Sequence, residues 1–243
     1  MMSEEHLLTE GDSLLICGWS PQGRRMVLDI LAVSPSIAIT VVCERRAAGC
    51  PSVVEHPEIT HINGDPTDSK TLVEAGLESA EIVVLLTDRG HGGPSQTLDA
   101  RTILAALTIR KLSASSHIIA ELFSERNVEL AESAGIDEWI LTDQYSGVML
   151  SQSLQSPGLS ELFTQLFETG AGSALRQVPV PDGLIGTRFS EAATEAIARG
   201  LGALAGFRRG DELHLPPGDD LVLAEGDQLL LLQRIGTTRL ALR

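Results

Sequence analysis

The feature that most constrains this chain is an alternation over its first 140 residues, in which short apolar, β-branched runs are separated by segments of helical period. Ser13–Cys17, Ile37–Cys43, Ile59–Asn63, Glu81–Leu86, His117–Leu122 and Glu138–Leu141 predict strands. Gln22–Val33, Asp68–Ala75, Thr97–Leu112 and Glu125–Ala134 predict the helices between them. A run such as Ile82-Val83-Val84-Leu85-Leu86 has no polar face, as expected of a strand covered on both sides by helices. Repeated βα units of this kind imply an α/β fold with a doubly wound parallel sheet.

After Leu141 the pattern changes. Two helical stretches, Gln144–Gln155 and Gly158–Phe167, flank a break at Ser156-Pro157-Gly158, because proline removes an N–H donor and clashes with the preceding turn. Leu159, Leu162, Phe163, Leu166 and Phe167 share one face of the second stretch. Glu168–Ser173 reads as a linker, and beyond it strand, helix and three further strands follow. Gly210-Asp211 and Glu225-Gly226-Asp227 supply the turns that antiparallel strands need. The expected organisation is an N-lobe over residues 1–141, a helix-turn-helix crossover over 142–170 and a small α+β C-lobe over 171–243.

Charge and composition exclude several classes. With 33 acidic against 18 basic residues the net charge is −15, which repels a polyanion and argues against nucleic acid as partner. No apolar run approaches the roughly 18 residues of a membrane span, and the acidic start of the chain does not resemble a signal peptide. A soluble chain is expected. The three cysteines, Cys17, Cys43 and Cys50, form no C-x-x-C pair, which fits a reducing compartment.

The first strand runs into Gly18-Trp19-Ser20-Pro21-Gln22-Gly23, where an α/β fold binds phosphate on a tight turn and a helix N-terminus. The dinucleotide pattern G-x-G-x-x-G appears here as G-x-S-x-x-G. Glu44 closes the second strand 21 residues after Gly23, where an acidic side chain holds a ribose hydroxyl. Gly18, Trp19, Ser20, Gly23 and Glu44 are therefore candidate nucleotide contacts. The same letters also describe a ligand-free helix start, with Ser20 as N-cap, Pro21 at the first helical position and Gly23 packing closely. Both readings stand on sequence alone. Asp65, Thr87 and Asp88 fall at carboxyl ends of strands, where open α/β sheets place ligands, and each also suits a cap or turn. Glu121 closes the fifth strand and is the candidate ligand for a hard cation such as calcium. The six histidines show no metal-binding spacing, and no nucleophile, base and orienter assemble into a catalytic set.

Taken in order, these motifs resemble the RCK domain, the regulator of potassium conductance, also called the TrkA-N/TrkA-C or KTN family. The carriers are Leu15-Ile16-Cys17-Gly18-Trp19-Ser20, Asn63-Gly64-Asp65-Pro66-Thr67, Ile118-Ile119-Ala120-Glu121 and Val178-Pro179-Val180-Pro181-Asp182-Gly183, together with Arg209-Gly210-Asp211-Glu212-Leu213 and Glu225-Gly226-Asp227-Gln228-Leu229. Ser95–Thr102 and Gln155–Leu159 look most like the CASTOR/POLLUX-type ion-channel branch. The resemblance implies a Rossmann-like N-lobe, a helical crossover that forms a homodimer, and assembly into an octameric ring on a membrane-embedded cation channel or transporter pore. It implies a cytoplasmic location at the inner face of the cell membrane and a ligand-sensing role without catalysis. The implied ligands are NAD or another adenine nucleotide, and calcium. Calcium-gated members carry further carboxylates beside Glu121 that this chain lacks. The alternatives are a separate TrkA-like NAD-binding subunit of a potassium-uptake system, and an NAD(P)-dependent oxidoreductase.

Overall fold

The computed structural model describes residues 13–44, 56–87, 95–167, 173–218 and 220–234. These fall into two compact units that divide between Ser151 and Gln152.

In the N-terminal unit, β1 (Ser13–Cys17), β2 (Ala38–Cys43), β3 (Ile59–Asn63), β4 (Ile82–Leu85), β5 (His117–Leu122) and β6 (Glu138–Leu141) form one sheet. Their spatial order is 3-2-1-4-5-6 and every pairing is parallel. The helices are α1 (Pro21–Val33), α2 (Ser69–Glu74), α3 (Ser95–Leu112) and α4 (Val128–Ser133). The expected helix over 125–134 begins as a 3-10 turn at Glu125–Asn127 before α4.

Alternation along β1 explains why the sheet is wound on both sides. Leu14 and Ile16 point into one core with Val27 and Leu31 of α1. Leu15 and Cys17 point into the other, with Leu72 of α2, Ala105, Ala106 and Ile109 of α3 and Ala131 of α4. Successive strand residues face opposite sides, so an unbroken apolar run needs a helical layer on each. Strand order reverses where β1 lies between β2 and β4, and ligands of such sheets bind at this reversal, beyond the strands' carboxyl ends.

Next come α5 (Thr142–Gln155) and α6 (Leu159–Phe167). No residue of α5 is buried.

In the C-terminal unit, β7 (Ser173–Pro179), α7 (Phe189–Ala198), β8 (Ala203–Arg209), β9 (Glu212–His214) and β10 (Gln228–Arg234) follow in chain order. The antiparallel sheet is ordered 7-10-8-9. The last strand takes a central place because Leu229-Leu230-Leu231 is buried on both faces. Phe207, Leu223, Leu229 and Leu231 pack with Ala192 and Ala196 of α7 in a core of their own.

Candidate ligand cleft

At the carboxyl ends of β1, β2 and β4 lies a narrow cleft with a volume of about 30 Å³. That is well below the roughly 300 to 1,000 Å³ of small-molecule sites, so a ligand of nucleotide size requires the cleft to open. The strand ends contribute Cys17, Gly18, Cys43, Glu44, Leu85 and Leu86, and α3 contributes Leu98, Arg101, Thr102 and Ala105. Pro66 and Thr67 close it from the loop after β3.

Gly18 has a φ of +92°, and a Cβ there would collide with the Leu86 carbonyl. Its N–H donates to Val42 O at 2.8 Å, and Leu86 N–H donates to Cys17 O at 2.8 Å. The turn therefore needs this glycine whether or not a ligand is present. Gly23 packs against the Leu86 side chain where a Cβ would overlap it. Ser20 is the N-cap of α1, its Oγ accepting from Gly23 N–H at 3.1 Å. Pro21 opens the helix without an N–H. A pyrophosphate would need these donors, so the helix start does not fit the pyrophosphate of NAD in the usual way. Trp19 turns away into the α1-side core, edge-on to the His61 ring at 6.4 Å between centroids.

Asp65 sits beside the cleft. Its Oδ1 accepts from Thr67 N–H and from Thr67 Oγ1, both at 2.8 Å, and its Oδ2 accepts from Arg101 Nη2 at 3.0 Å. Burial pushes its pKa up, but the Thr67 donors and the Arg101 guanidinium outweigh that and hold the carboxyl below its ordinary value. Cys17 is buried, which pushes its thiol up to about 12. It is a neutral wall of the cleft and not a nucleophile.

Thr87 and Glu121 meet elsewhere, at the ends of β4 and β5. Glu121 Oε2 accepts from Thr87 N–H at 3.1 Å and Oε1 from Thr142 Oγ1 at 3.0 Å, while Thr87 Oγ1 donates to Glu121 O at 3.3 Å. Both carboxylate oxygens thus face donors, and among the described residues no group of three His, Cys, Asp or Glu is placed to hold a metal. The arrangement does not fit calcium, which needs several more oxygens. Asp88 lies outside the described residues.

The structure therefore gathers Gly18 and Glu44 in the cleft with Asp65 beside it, and separates Trp19, Thr87 and Glu121 from them. Arg101, Thr67 and Thr102 are functional candidates that reading the letters in order missed. Their signal was present, since Leu98, Arg101, Thr102 and Ala105 recur at i, i+3, i+4 and i+7, and an arginine on the inward stripe of a helix is unusual. Asp99, fully buried on α3, was missed as well. It accepts from Phe123 N–H, Ser124 N–H and Asn127 Nδ2 at 2.9, 3.0 and 2.7 Å, fixing the loop after β5.

A six-stranded parallel sheet with its cleft at the point of strand reversal defines a Rossmann-type domain. The family model described as the TrkA-N domain matches residues 14–142, more than half of the chain, and the chain belongs to that family. It is 29% identical over 157 residues to the calcium-gated potassium channel TvoK of Thermoplasma volcanium, covering 64% of this chain and 44% of the channel. It is 26% identical over 161 residues to the putative potassium channel protein YugO of Bacillus subtilis, covering 63% of this chain and 47% of that protein. The chain thus spans under half the length of these curated relatives. The human SLO3 gating ring superposes with a TM-score of 0.70 at 18% identity, covering 91% of this chain and 44% of that one, a likeness of fold. Among the described residues no helix is long and apolar enough to cross a membrane.

Proposed function

We propose that this chain is a ligand-sensing regulatory domain, a gating-ring element, that controls a potassium or other cation channel from the cytoplasmic side of the membrane. The observation that carries the reading is the similarity to a calcium-gated potassium channel over 64% of this chain. The cleft beside Gly18 and Glu44 is the proposed sensing site, and an adenine nucleotide is its proposed ligand, with Glu44 holding a ribose hydroxyl. Calcium is the second candidate effector, favoured by the gating of that relative, and would bind away from the Glu121 arrangement described above. Ligand binding acts by favouring one of two ring conformations, a coupling of ~1 to 3 kcal/mol per site.

The proposed lobe scheme is an N-lobe, a crossover of α5 and α6, and a TrkA-C-like C-lobe. In it the crossover pairs with a second copy, and dimers build an octameric ring on the pore. The exposure of Leu150 and Leu154 on α5, 70% and 86%, supports a partner for that helix. Nearness to the CASTOR/POLLUX-type branch belongs to the same proposal. Glu44 is the one carboxylate lining the cleft among the described residues, and its proposed role is to hold a ribose and not to transfer a proton, which favours sensing over oxidoreductase chemistry.

The test is sedimentation velocity on the whole chain with and without NAD, ADP, ATP or calcium, alongside thermal shift. The expected result is an oligomer whose sedimentation changes with one effector. A monomer at every concentration would remove the ring, and turnover of NADH would overturn the regulatory reading.

A further inference from the structure

None of the residues of α5 is buried, so core packing does not set the direction in which this helix leaves the sheet. Its start is constrained in two other ways. β6 ends at Leu141 and α5 begins at Thr142 with no residue between them, and Thr142 Oγ1 donates to Glu121 Oε1 at 3.0 Å. The other oxygen of the same carboxylate takes Thr87 N–H at 3.1 Å, and Thr87 Oγ1 donates to Glu121 O at 3.3 Å. Thr87 is buried and follows Leu86, a wall of the cleft whose own N–H donates to Cys17 O at 2.8 Å. The end of β4 is therefore held on one side by β1 and on the other by Glu121, and that carboxylate also holds the first residue of α5.

We propose that Glu121 is a positioning residue that couples the end of β4 to the first turn of α5, so that a shift of the strand end at Leu86 changes the order of that turn. One carboxylate accepting from both elements makes their positions interdependent. If Thr87 moves, the carboxylate either follows it and releases Thr142, or stays and leaves a buried N–H without an acceptor. The second course is the costlier, because an unsatisfied buried donor loses more than a net hydrogen bond is worth. The Thr142 hydroxyl, less buried, turns to water instead, and the disturbance passes to α5. Linkage makes the effect reciprocal. The coupling is the same whichever ligand the protein senses, so it stands or falls separately from the nucleotide and calcium readings. α5 spans the division between the two units at Ser151 and Gln152, which makes its first turn the point where a change in the sheet reaches the chain leading to the second unit.

The test is amide hydrogen exchange on the full chain, read at Thr87 and at Ser146 to Met149, whose N–H groups bond to the first-turn carbonyls of α5. Thr142→Val removes the hydroxyl and keeps the shape. Exchange at Ser146 to Met149 should quicken by about tenfold, as loss of a hydrogen bond to a charged group implies. Exchange at Thr87 should change as well, because the carboxylate that holds it has lost its second donor. Thr142→Ser keeps the donor and should match wild type at both places. Leu86→Val alters the strand end and should change exchange in the first turn of α5, but not when combined with Thr142→Val, the signature of two sites joined through one link. Amides of α3 should keep their wild-type exchange throughout, which separates the coupling from a general loosening of the fold. A Thr87 amide indifferent to Thr142→Val would reduce Glu121 to a local tie and overturn the proposal. So would an α5 that ignores Leu86→Val, or a response to it that survives Thr142→Val. If α3 exchange shows that Leu86→Val disturbs the fold, the response of Thr87 to Thr142→Val decides alone.

Discussion

Arg209–Asp227 of the C-terminal unit and Arg101–Asp65, one of the arginine–aspartate pairs of the N-terminal unit, differ in how completely their donors are used. In the C-terminal unit Arg209 meets Asp227 side-on, Nε to Oδ1 at 2.8 Å and Nη2 to Oδ2 at 2.7 Å. Nη2 also reaches Val222 O, and Asp227 Oδ2 takes Ala224 N–H, both at 2.8 Å. Asp227 is 1% exposed, and the guanidinium lies 5.3 Å from the Phe207 ring centroid. In the N-terminal unit Arg101 touches Asp65 through one nitrogen, and Asp65 keeps 31% of its side-chain surface. The first pair is consumed in closing a turn. The second keeps donors in reserve beside a cleft, which is what separates a structural tie from a site.

The comparison breaks most visibly if the buried pair is cut. Asp227→Asn leaves the Arg209 charge without its carboxylate and weakens the grip on the 224–227 turn, and about 3 kcal/mol of stability should be lost, the lower end for a buried pair because Arg209 is 43% exposed. Both tryptophans, Trp19 and Trp139, lie in the N-terminal unit. The loss should therefore appear in denaturation followed by circular dichroism, with little movement of the tryptophan-fluorescence midpoint. A shift confined to fluorescence would reverse the assignment.

An intermediate effect tests the helix start. Ser20→Ala removes the N-cap of α1 and should cost ~1 kcal/mol, this time in the fluorescence transition. A cost near zero would mean that Gly23 N–H finds another acceptor and that the turn is more open to an anion than its capped geometry implies.

The alternating apolar runs made the six-stranded sheet legible, because a strand covered on both faces leaves a mark no amphipathic helix leaves. The Gly18–Gly23 turn was legible only as two alternatives, since Ser20 and Pro21 are common to a capped helix and to a degraded phosphate loop, and only the Ser20 Oγ to Gly23 contact separates them. Arg209 and Asp227 were visible as members of two turns, Arg209-Gly210-Asp211 and Glu225-Gly226-Asp227, yet nothing in the letters joins residues 18 positions apart across different strands. Arg101 and Asp65 pair across 36 positions for the same reason. Local chemistry reads from sequence, whereas a pairing across the fold depends on strand order, which the runs do not carry.

Acid sharpens the comparison further. For Asp227 burial raises the pKa, but the Arg209 hydrogen bonds, the Ala224 N–H and the charges of Arg209 and His214 prevail and hold it below the ordinary value. Asp65 is depressed too. A depressed folded pKa gives stability that is complete above the unfolded value of about 3.9 and is lost as pH falls through the folded one. The stability gap between wild type and Asp227→Asn should therefore be constant from pH 7 to about 5 and close below about pH 4. A gap that widens on acidification would mean the carboxyl is protonated in the fold.

The smallest expected effect is the most informative about function. Asp65→Asn removes a partly solvated charge, and a pair a third exposed contributes no more than about 1 kcal/mol, so the fluorescence midpoint should move slightly and the circular-dichroism transition of the other unit not at all. Its consequence for the cleft runs the other way. Without the Asp65 charge, the Arg101 guanidinium loses its one fixed partner, gains freedom, and carries an uncompensated positive charge at the cleft wall. An anion should then bind faster and depend more steeply on salt, as expected where a single charge steers association. Asp227→Asn should change neither quantity. If Asp65→Asn instead cost as much stability as Asp227→Asn, the two pairs would be equivalent structural ties, and the cleft would lose its claim to Arg101.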